Sequence, residues 1–121
     1  MRSRSRSKQG PPVEWQFAEA LADTMFALST PSRVQILFCL LEQPHDVSQL
    51  TEAIGMEQSA ISHQLRILRE LSLVRVDREG SRRVYTLFDD HVAALLREGA
   101  RHVERRQSGR ASGRATGKRT G

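Results

Sequence analysis

The sequence predicts an α+β fold, a winged helix-turn-helix with about five helices and one β-hairpin. Three observations support this prediction. Apolar residues recur every three or four positions in several segments, as they do in amphipathic helices. Two such segments are joined by a few residues around a glycine, which is typical of a helix-turn-helix. The alternating stretches LVRVD and RRVYTL flank the turn REGS, a pattern that indicates a β-hairpin, the wing.

The first two helices are predicted to meet at a threonine and a proline. The first covers residues 13–29, and its apolar face is wide enough to contact two partners. Thr30 can cap a second helix over 31–42, and Pro31 suits the first position of that helix. The single cysteine, Cys39, falls in this second helix, so an intramolecular disulfide is impossible and a core thiol is expected.

The next two helices form the predicted helix-turn-helix. Asp46 is placed to cap a short third helix, and Gln49, three residues later, completes a capping box. Gly55 suits the end of that helix because glycine readily adopts the left-handed conformation. A fourth helix is predicted over 57–71, and the last helix, after the hairpin, over 89–106.

Basic residues are concentrated at both ends of the chain. Residues 1–12 carry a charge of +4 and residues 105–121 a charge of +6, although the whole chain carries only +5, so the part between them is acidic. Both ends lack apolar residues, which predicts a disordered arm over 1–12 and a disordered tail over 107–121 around a domain over 13–106. Such arms suit a polyanion such as nucleic acid, or serve only solubility.

Two classes of protein are not favoured by the sequence. No run of 18 apolar residues exists, and no apolar stretch follows the basic N-terminus, so a cytoplasmic protein without a membrane partner is expected. An enzyme is not predicted either. Ser62 and His63 are neighbours that point about 100° apart on a helix, so they cannot act together as nucleophile and base.

The polar face of the fourth helix suits the major groove of double-stranded DNA. Glutamine and histidine reach base edges there, whereas serine hydroxyls and arginines meet phosphates. An ordinary solvated helix face is the alternative, and the helix-turn-helix spacing and the wing argue against it. The predicted DNA contacts are Gln58, Ser59, Ser62, His63 and Arg66 on the helix, with Arg82 and Arg83 on the wing.

Three stretches resemble the ArsR/SmtB family of metal-responsive repressors: ALSTPSR at 27–33, AIGMEQSAISHQLRILRELSLV at 53–74 and GSRRVYTLFDDHVAALL at 80–96. Their residues most resemble those of the nickel- and cobalt-sensing branch of the family. The resemblance implies a winged-helix homodimer, paired through its first and last helices, that binds an inverted-repeat operator and changes affinity when metal binds. It also adds Gln64 to the segment that contacts DNA.

The resemblance further implies a metal site on the last helix. The family pattern there is Asp-x-His, a histidine eleven residues later, and a histidine or glutamate three beyond that. This chain has Asp89, His91 and His102, followed by Arg105, which cannot coordinate a metal. His91 and His102 lie about 16 Å apart along a helix, so they can share an ion only across two antiparallel helices. Without the resemblance, an N-cap aspartate and two interface histidines would be the simpler interpretation.

The fourth ligand and the metal itself stay open at this stage. Glu98, Glu104, water or a residue of the N-terminal arm can complete the site, and nickel is the predicted ion, with cobalt or zinc as alternatives. A thiolate site at the third helix is not predicted, since the chain reads HDVSQ there. The rival interpretations are a regulator that senses no metal, acting constitutively, through Cys39 oxidation or with a protein co-regulator, and a non-specific nucleic-acid-binding protein.

Overall fold

The computed structural model describes residues 10–113, except for the side chains of 110–113. Within these residues it contains five helices and one antiparallel hairpin, which confirms the predicted winged helix-turn-helix. The elements are α1 (Trp15–Ala27), α2 (Pro31–Glu42), α3 (Val47–Ile54), α4 (Gln58–Glu70), β1 (Val74–Glu79), β2 (Arg82–Leu87) and α5 (Asp90–Gly113). The strands pair from Val74 opposite Leu87 to Glu79 opposite Arg82, so two residues form the turn.

Local signals in the sequence set the joint between α3 and α4. The Asp46 carboxylate accepts a hydrogen bond from the Gln49 amide at 2.8 Å, and the Gln49 side chain accepts one from the Asp46 amide at 2.8 Å. Gly55 ends α3 at φ 82°, which glycine adopts without a Cβ clash. Both predictions are confirmed. Thr30 occupies the N-cap position of α2, but its side chain makes no capping bond, so that part of the prediction is wrong.

The core lies where α2, α3, α4, α5 and the hairpin converge. Fully burying a valine, leucine or isoleucine side chain stabilises a fold by about 1.5–3 kcal/mol. Three buried residues of α4, Ile61, Leu65 and Leu68, anchor this helix to the core and leave its polar side chains exposed. The largest fully buried side chains are Ile36, Leu37, Leu50, Ile61, Leu65, Leu68 and Val74.

The first helix leaves most of its apolar surface uncovered. Ala27 is its only buried residue, whereas Trp15 is 74% exposed and Phe26 is 70% exposed. Beside it, an open apolar groove of about 490 Å³ is lined by side chains of α1, α2 and α5. An exposed apolar surface of this kind marks an interaction site in a soluble domain. The wide apolar face predicted for α1 is therefore present and lacks a partner within the described residues.

The last helix is longer than the sequence predicts. It continues to Gly113, seven residues beyond the predicted end at 106. Once a helix has formed, each further residue adds a hydrogen bond, and this offsets the roughly 1 kcal/mol that a glycine costs. The predicted tail over 107–121 is thus helical up to 113. Its remaining residues, and residues 1–9 of the predicted arm, lie outside the described residues.

Membrane-crossing criteria are not met by any one helix in the range 10–113. Only α1 and α2 taken together reach the required length and composition. The two helices meet at a bend of 84°.

Candidate functional site

The face of α4 that points away from the core is polar and exposed. Short hydroxyl side chains and an imidazole lie near its N-terminal half, and two arginines follow. These side chains are exposed, whereas Ile61, Leu65 and Leu68 of the same helix are buried in the core. The exposed residues of α4 that carry this chemistry are Gln58, Ser59, Ser62, His63, Arg66 and Arg69.

A cleft of about 430 Å³ separates this face from the wing. Three of its lining residues are exposed arginines, and none is acidic, so the cleft suits phosphate oxygens. The Arg83 guanidinium lies 5.9 Å from the centre of the Tyr85 ring, within the range of a cation–π contact. The lining residues are Val47, Gln58, Ser62, Arg66, Arg69, Arg83 and Tyr85.

Arg69 was not among the residues predicted to contact DNA. It lies three residues after Arg66, a spacing that places both on one side of a helix. Both side chains line the cleft with Arg83. This spacing was visible in the sequence and is the signal that could have included Arg69.

Gln64 lies apart from the exposed face. It is half-buried, and its side-chain oxygen accepts a hydrogen bond from Arg33 Nη1 at 2.9 Å. Two residues along a helix rotate a side chain by about 200°, so Gln64 points away from the side that Ser62 occupies. The structure therefore does not bring Gln64 together with the other predicted DNA contacts.

Arg82 is also turned away from the cleft, toward the start of α3. Its Nη2 and Nε donate to Asp46 Oδ2 at 2.9 and 3.1 Å, and Nη2 reaches Gln49 Oε1 at 3.3 Å. Successive strand residues point to opposite faces, so Arg83 faces the cleft when Arg82 faces α3. The backbones of His45 and Tyr85 exchange hydrogen bonds nearby. Arg82 thus ties the wing to α3.

This tie predicts a pH-dependent contribution to stability. Hydrogen bonds from the Gln49 amide and from Arg82 lower the pKa of Asp46. A carboxyl whose pKa is lowered by folding stabilises the fold above its unfolded pKa of about 4, and this stabilisation is lost as the pH falls through the folded pKa. Asparagine still caps a helix. Asp46→Asn is therefore expected to cost up to about 1 kcal/mol at pH 7, because it removes only the ion pair.

Thermal unfolding of the wild type and Asp46→Asn at pH 7 and pH 3 measures this contribution. The difference in the free energy of unfolding between the two proteins should be smaller at pH 3 than at pH 7. Asp77→Asn is the matched control, since Asp77 lies 3.9 Å from Arg75 and both side chains are exposed. A difference that stays constant across this range would contradict the role assigned to the Asp46 carboxylate.

Asp89 and His91 come together at the start of α5. Asp89 Oδ1 accepts a hydrogen bond from the His91 amide at 3.0 Å, and Oδ2 lies 3.4 Å from His91 Nδ1. Desolvation raises the pKa of Asp89, but the bonds from the His91 ring and amide outweigh it and lower the pKa. The His91 side chain is 93% exposed. Asp89 therefore caps the helix and still presents a carboxylate oxygen beside an exposed imidazole.

The third predicted ligand, His102, lies further along the same helix. It is exposed, and eleven residues at 1.5 Å each place it about 16 Å from His91 along the axis. Among the described residues of one chain, no three candidate ligands form a group. Glu98 accepts a bond from Arg101 at 2.8 Å, and Glu104 is exposed. Carboxylate oxygen and imidazole nitrogen suit nickel, cobalt or zinc, but one chain supplies only part of a site.

Comparison with known proteins relates the whole domain to bacterial regulators. Residues 30–76 match the family model described as "Bacterial regulatory protein, arsR family". The HTH-type transcriptional regulator NmtR of Mycobacterium tuberculosis is 51% identical over 104 residues, which cover 86% of this chain and 87% of NmtR. A transcriptional repressor SmtB homolog of Synechocystis sp. is 41% identical over 87 residues, covering 72% of this chain and 66% of that protein.

Solved structures give the same relationship. The solution structure of apo-NmtR superposes with a TM-score of 0.67 at 53% identity, covering 79% of this chain and 81% of that one. The homodimeric winged helix-turn-helix DNA-binding domain of Mb0332 from Mycobacterium bovis superposes with a TM-score of 0.73 at 26% identity, covering 81% and 94%. The similarity therefore extends over most of both chains in each pair.

Proposed function

Since the chain belongs to the ArsR family of bacterial regulatory proteins, we propose that it is a homodimeric repressor that binds an inverted-repeat operator and responds to nickel. One observation carries the metal part of this proposal. The Asp89 carboxylate and the His91 imidazole lie together and exposed on the helix that presents His102 three turns later. Exposed ligands that are separated along one helix suit a site completed by a second chain.

The DNA part of the proposal assigns each exposed side chain a role. The α4 helix enters the major groove, where Gln58, Ser59, Ser62 and His63 lie nearest the bases. Arg66, Arg69 and Arg83 follow the phosphates from the cleft between α4 and the wing. Arg82 acts through its ion pair with Asp46, by keeping the wing in place.

Dimerisation follows from the apolar surface that one chain leaves uncovered. The exposed side chains of α1 and the groove beside α5 are covered when a second copy packs against them. Isologous pairing of this kind uses the same patch on both chains. Two copies of α4 then face the two halves of an inverted repeat.

The metal would be held by Asp89 and His91 of one protomer and by His102 of the partner subunit. A bound ion supplies a cross-link between two protomers, which favours one dimer geometry over others. Three protein ligands leave positions for water, which suits nickel better than a closed tetrahedral zinc site. Glu98 and Glu104 are the candidates for a further ligand. Use of Glu98 requires breaking its bond with Arg101.

Operator affinity with and without metal tests the proposal directly. The operator is first isolated from random DNA by in vitro selection with the metal-free protein. We expect nickel to weaken binding by roughly 5- to 150-fold, the usual range of coupling between two sites. Cobalt and zinc test the choice of ion, and magnesium, which prefers oxygen ligands, is the control. Unchanged affinity with all three transition metals would contradict the sensor function.

A regulator that senses no metal is the second candidate, and Arg105 favours it. This arginine occupies the position where the family pattern has a ligand. Redox sensing through Cys39 has less support, because burial and the nearby Glu42 raise the pKa of the thiol and so disfavour the reactive thiolate. A protein co-regulator stays a prediction.

A further inference from the structure

A buried arginine connects three helices. Arg33 in the first turn of α2 is 8% exposed and is the one charged residue buried among the described residues. Its Nε donates to the Ala27 carbonyl at 2.7 Å, and Nη2 lies 3.4 Å from the Phe26 carbonyl. Its Nη1 donates to Gln64 Oε1 at 2.9 Å. One guanidinium therefore joins the C-terminal end of α1 to the half-buried side of α4.

The cost of burying this cation suggests that it has an orienting role. No carboxylate in the described part of the chain pairs with Arg33. The carbonyls at the end of α1 carry partial negative charge, and these with the Gln64 oxygen give each of the three Arg33 nitrogens one acceptor. An apolar side chain of similar volume avoids the desolvation cost and often stabilises a core more. What an apolar residue cannot do is make directed hydrogen bonds that hold the end of α1 in one orientation relative to α4.

The helix that Arg33 holds has few other anchors. Only Ala27 of α1 is buried, and most of its apolar side chains are exposed. Its orientation therefore depends on contacts near its C-terminal end, where Arg33 binds. Gln64, at the other end of the contact, lies on the helix that carries the exposed DNA-binding face.

We propose that Arg33 and Gln64 form a positioning pair, which fixes α4 relative to the dimer-forming helix α1. In a dimer, this pair holds the two α4 helices at the separation that successive major grooves require, about 34 Å. The inference rests on the proposed function, because it assumes that a dimer binds an inverted repeat. It assigns Gln64 a role in spacing the two halves of the dimer and no role in contacting bases.

Binding to a full operator and to a half-site separates these two roles. The half-site duplex is the selected operator with one repeat scrambled. Gln64→Met removes the acceptor and keeps a similar volume. We expect it to weaken full-site binding roughly tenfold or more, since it breaks a hydrogen bond to a charged group. The affinity for the half-site should change less than about twofold, which is well below the tenfold loss expected for the full site.

Matched variants make the test specific. Gln58→Met, on the exposed face of the same helix, should weaken half-site binding as well as full-site binding, because it removes one base contact from the half-site complex and two from the full-site complex. Gln64→Glu retains an acceptor for Arg33, so its ratio of full-site to half-site affinity should stay close to that of the wild type. In the double variant Arg33→Lys/Gln64→Met, the ratio of full-site to half-site affinity should be no lower than in Gln64→Met alone. If Gln64→Met clearly weakened half-site binding, or left full-site binding unchanged, the positioning role would be overturned.

Hydrogen exchange in the free protein tests the pair without DNA. The amides of Leu28 and Ser29 bond to the carbonyls of Met25 and Phe26 at the end of α1. Gln64→Met should speed exchange at these amides, and Gln58→Met should not. Unchanged exchange in Gln64→Met would overturn the link. A wild type that bound full and half sites equally would instead count against the proposed dimeric function.

Discussion

Replacing His91 with alanine is expected to abolish the effect of nickel on operator affinity, while the metal-free protein binds DNA as before. The imidazole is 93% exposed, and within residues 10–113 its one ion-pair partner is the Asp89 carboxylate, so its removal should leave the core and α4 intact. His102→Ala should have the same effect for the same reason. The measurement is operator affinity with and without nickel. His45→Ala is the matched control. This histidine lies outside α5, and its ring contacts the Gln43 carbonyl and is not a predicted metal ligand.

A mixture of the two variants tests whether the site is shared. Neither His91→Ala nor His102→Ala can form a complete intersubunit site as a homodimer. A heterodimer of the two has one intact site, because it joins His91 of one chain to His102 of the other. Refolding both variants together should therefore restore nickel binding, which neither variant shows alone. A mixture that stayed inactive, or a single variant that kept its response, would rule out the shared arrangement.

Replacing Arg66 with alanine is expected to produce the largest loss of DNA binding. A dimer loses two phosphate contacts, so the slope of log affinity against log salt should fall by roughly 2. Affinity at low salt should fall about 100-fold if each charged contact contributes on the order of 1.5 kcal/mol. Arg97→Ala, which removes an exposed arginine from α5, should leave the slope unchanged.

The same measurement distinguishes the two wing arginines. Arg83 lines the cleft with Arg66, so Arg83→Ala should lower the salt slope in the same way. Arg82 pairs with Asp46 and is not expected to contact a phosphate, so Arg82→Ala should weaken DNA binding without lowering the salt slope. The effects of Arg82→Ala and Asp46→Asn should not add, because both remove one ion pair. A lower slope with additive effects would mean that Arg82 contacts DNA.

The elements of the fold were predictable because their signals are local. The capping box of Asp46 and Gln49, the left-handed Gly55 and the alternating strands each act within four residues of chain. The Asp89 and His91 pair belongs to the same class, since the two residues are only two positions apart at a helix start. Helix periodicity likewise placed Ser62, His63 and Arg66 on an exposed face.

The partners of Arg33 and Arg82 depended on the tertiary structure. Arg33 meets Gln64 across 31 residues, and Arg82 meets Asp46 across 36. Helical spacing alone does not say which side of α4 faces α2, and the strand pattern does not say which element the wing packs on. Those relations arise from packing between elements, which depends on all of the buried side chains at once. The sequence determined the elements and the chemistry of their faces, whereas packing decided which polar side chains stay exposed for the proposed DNA contacts and which hold the helices together.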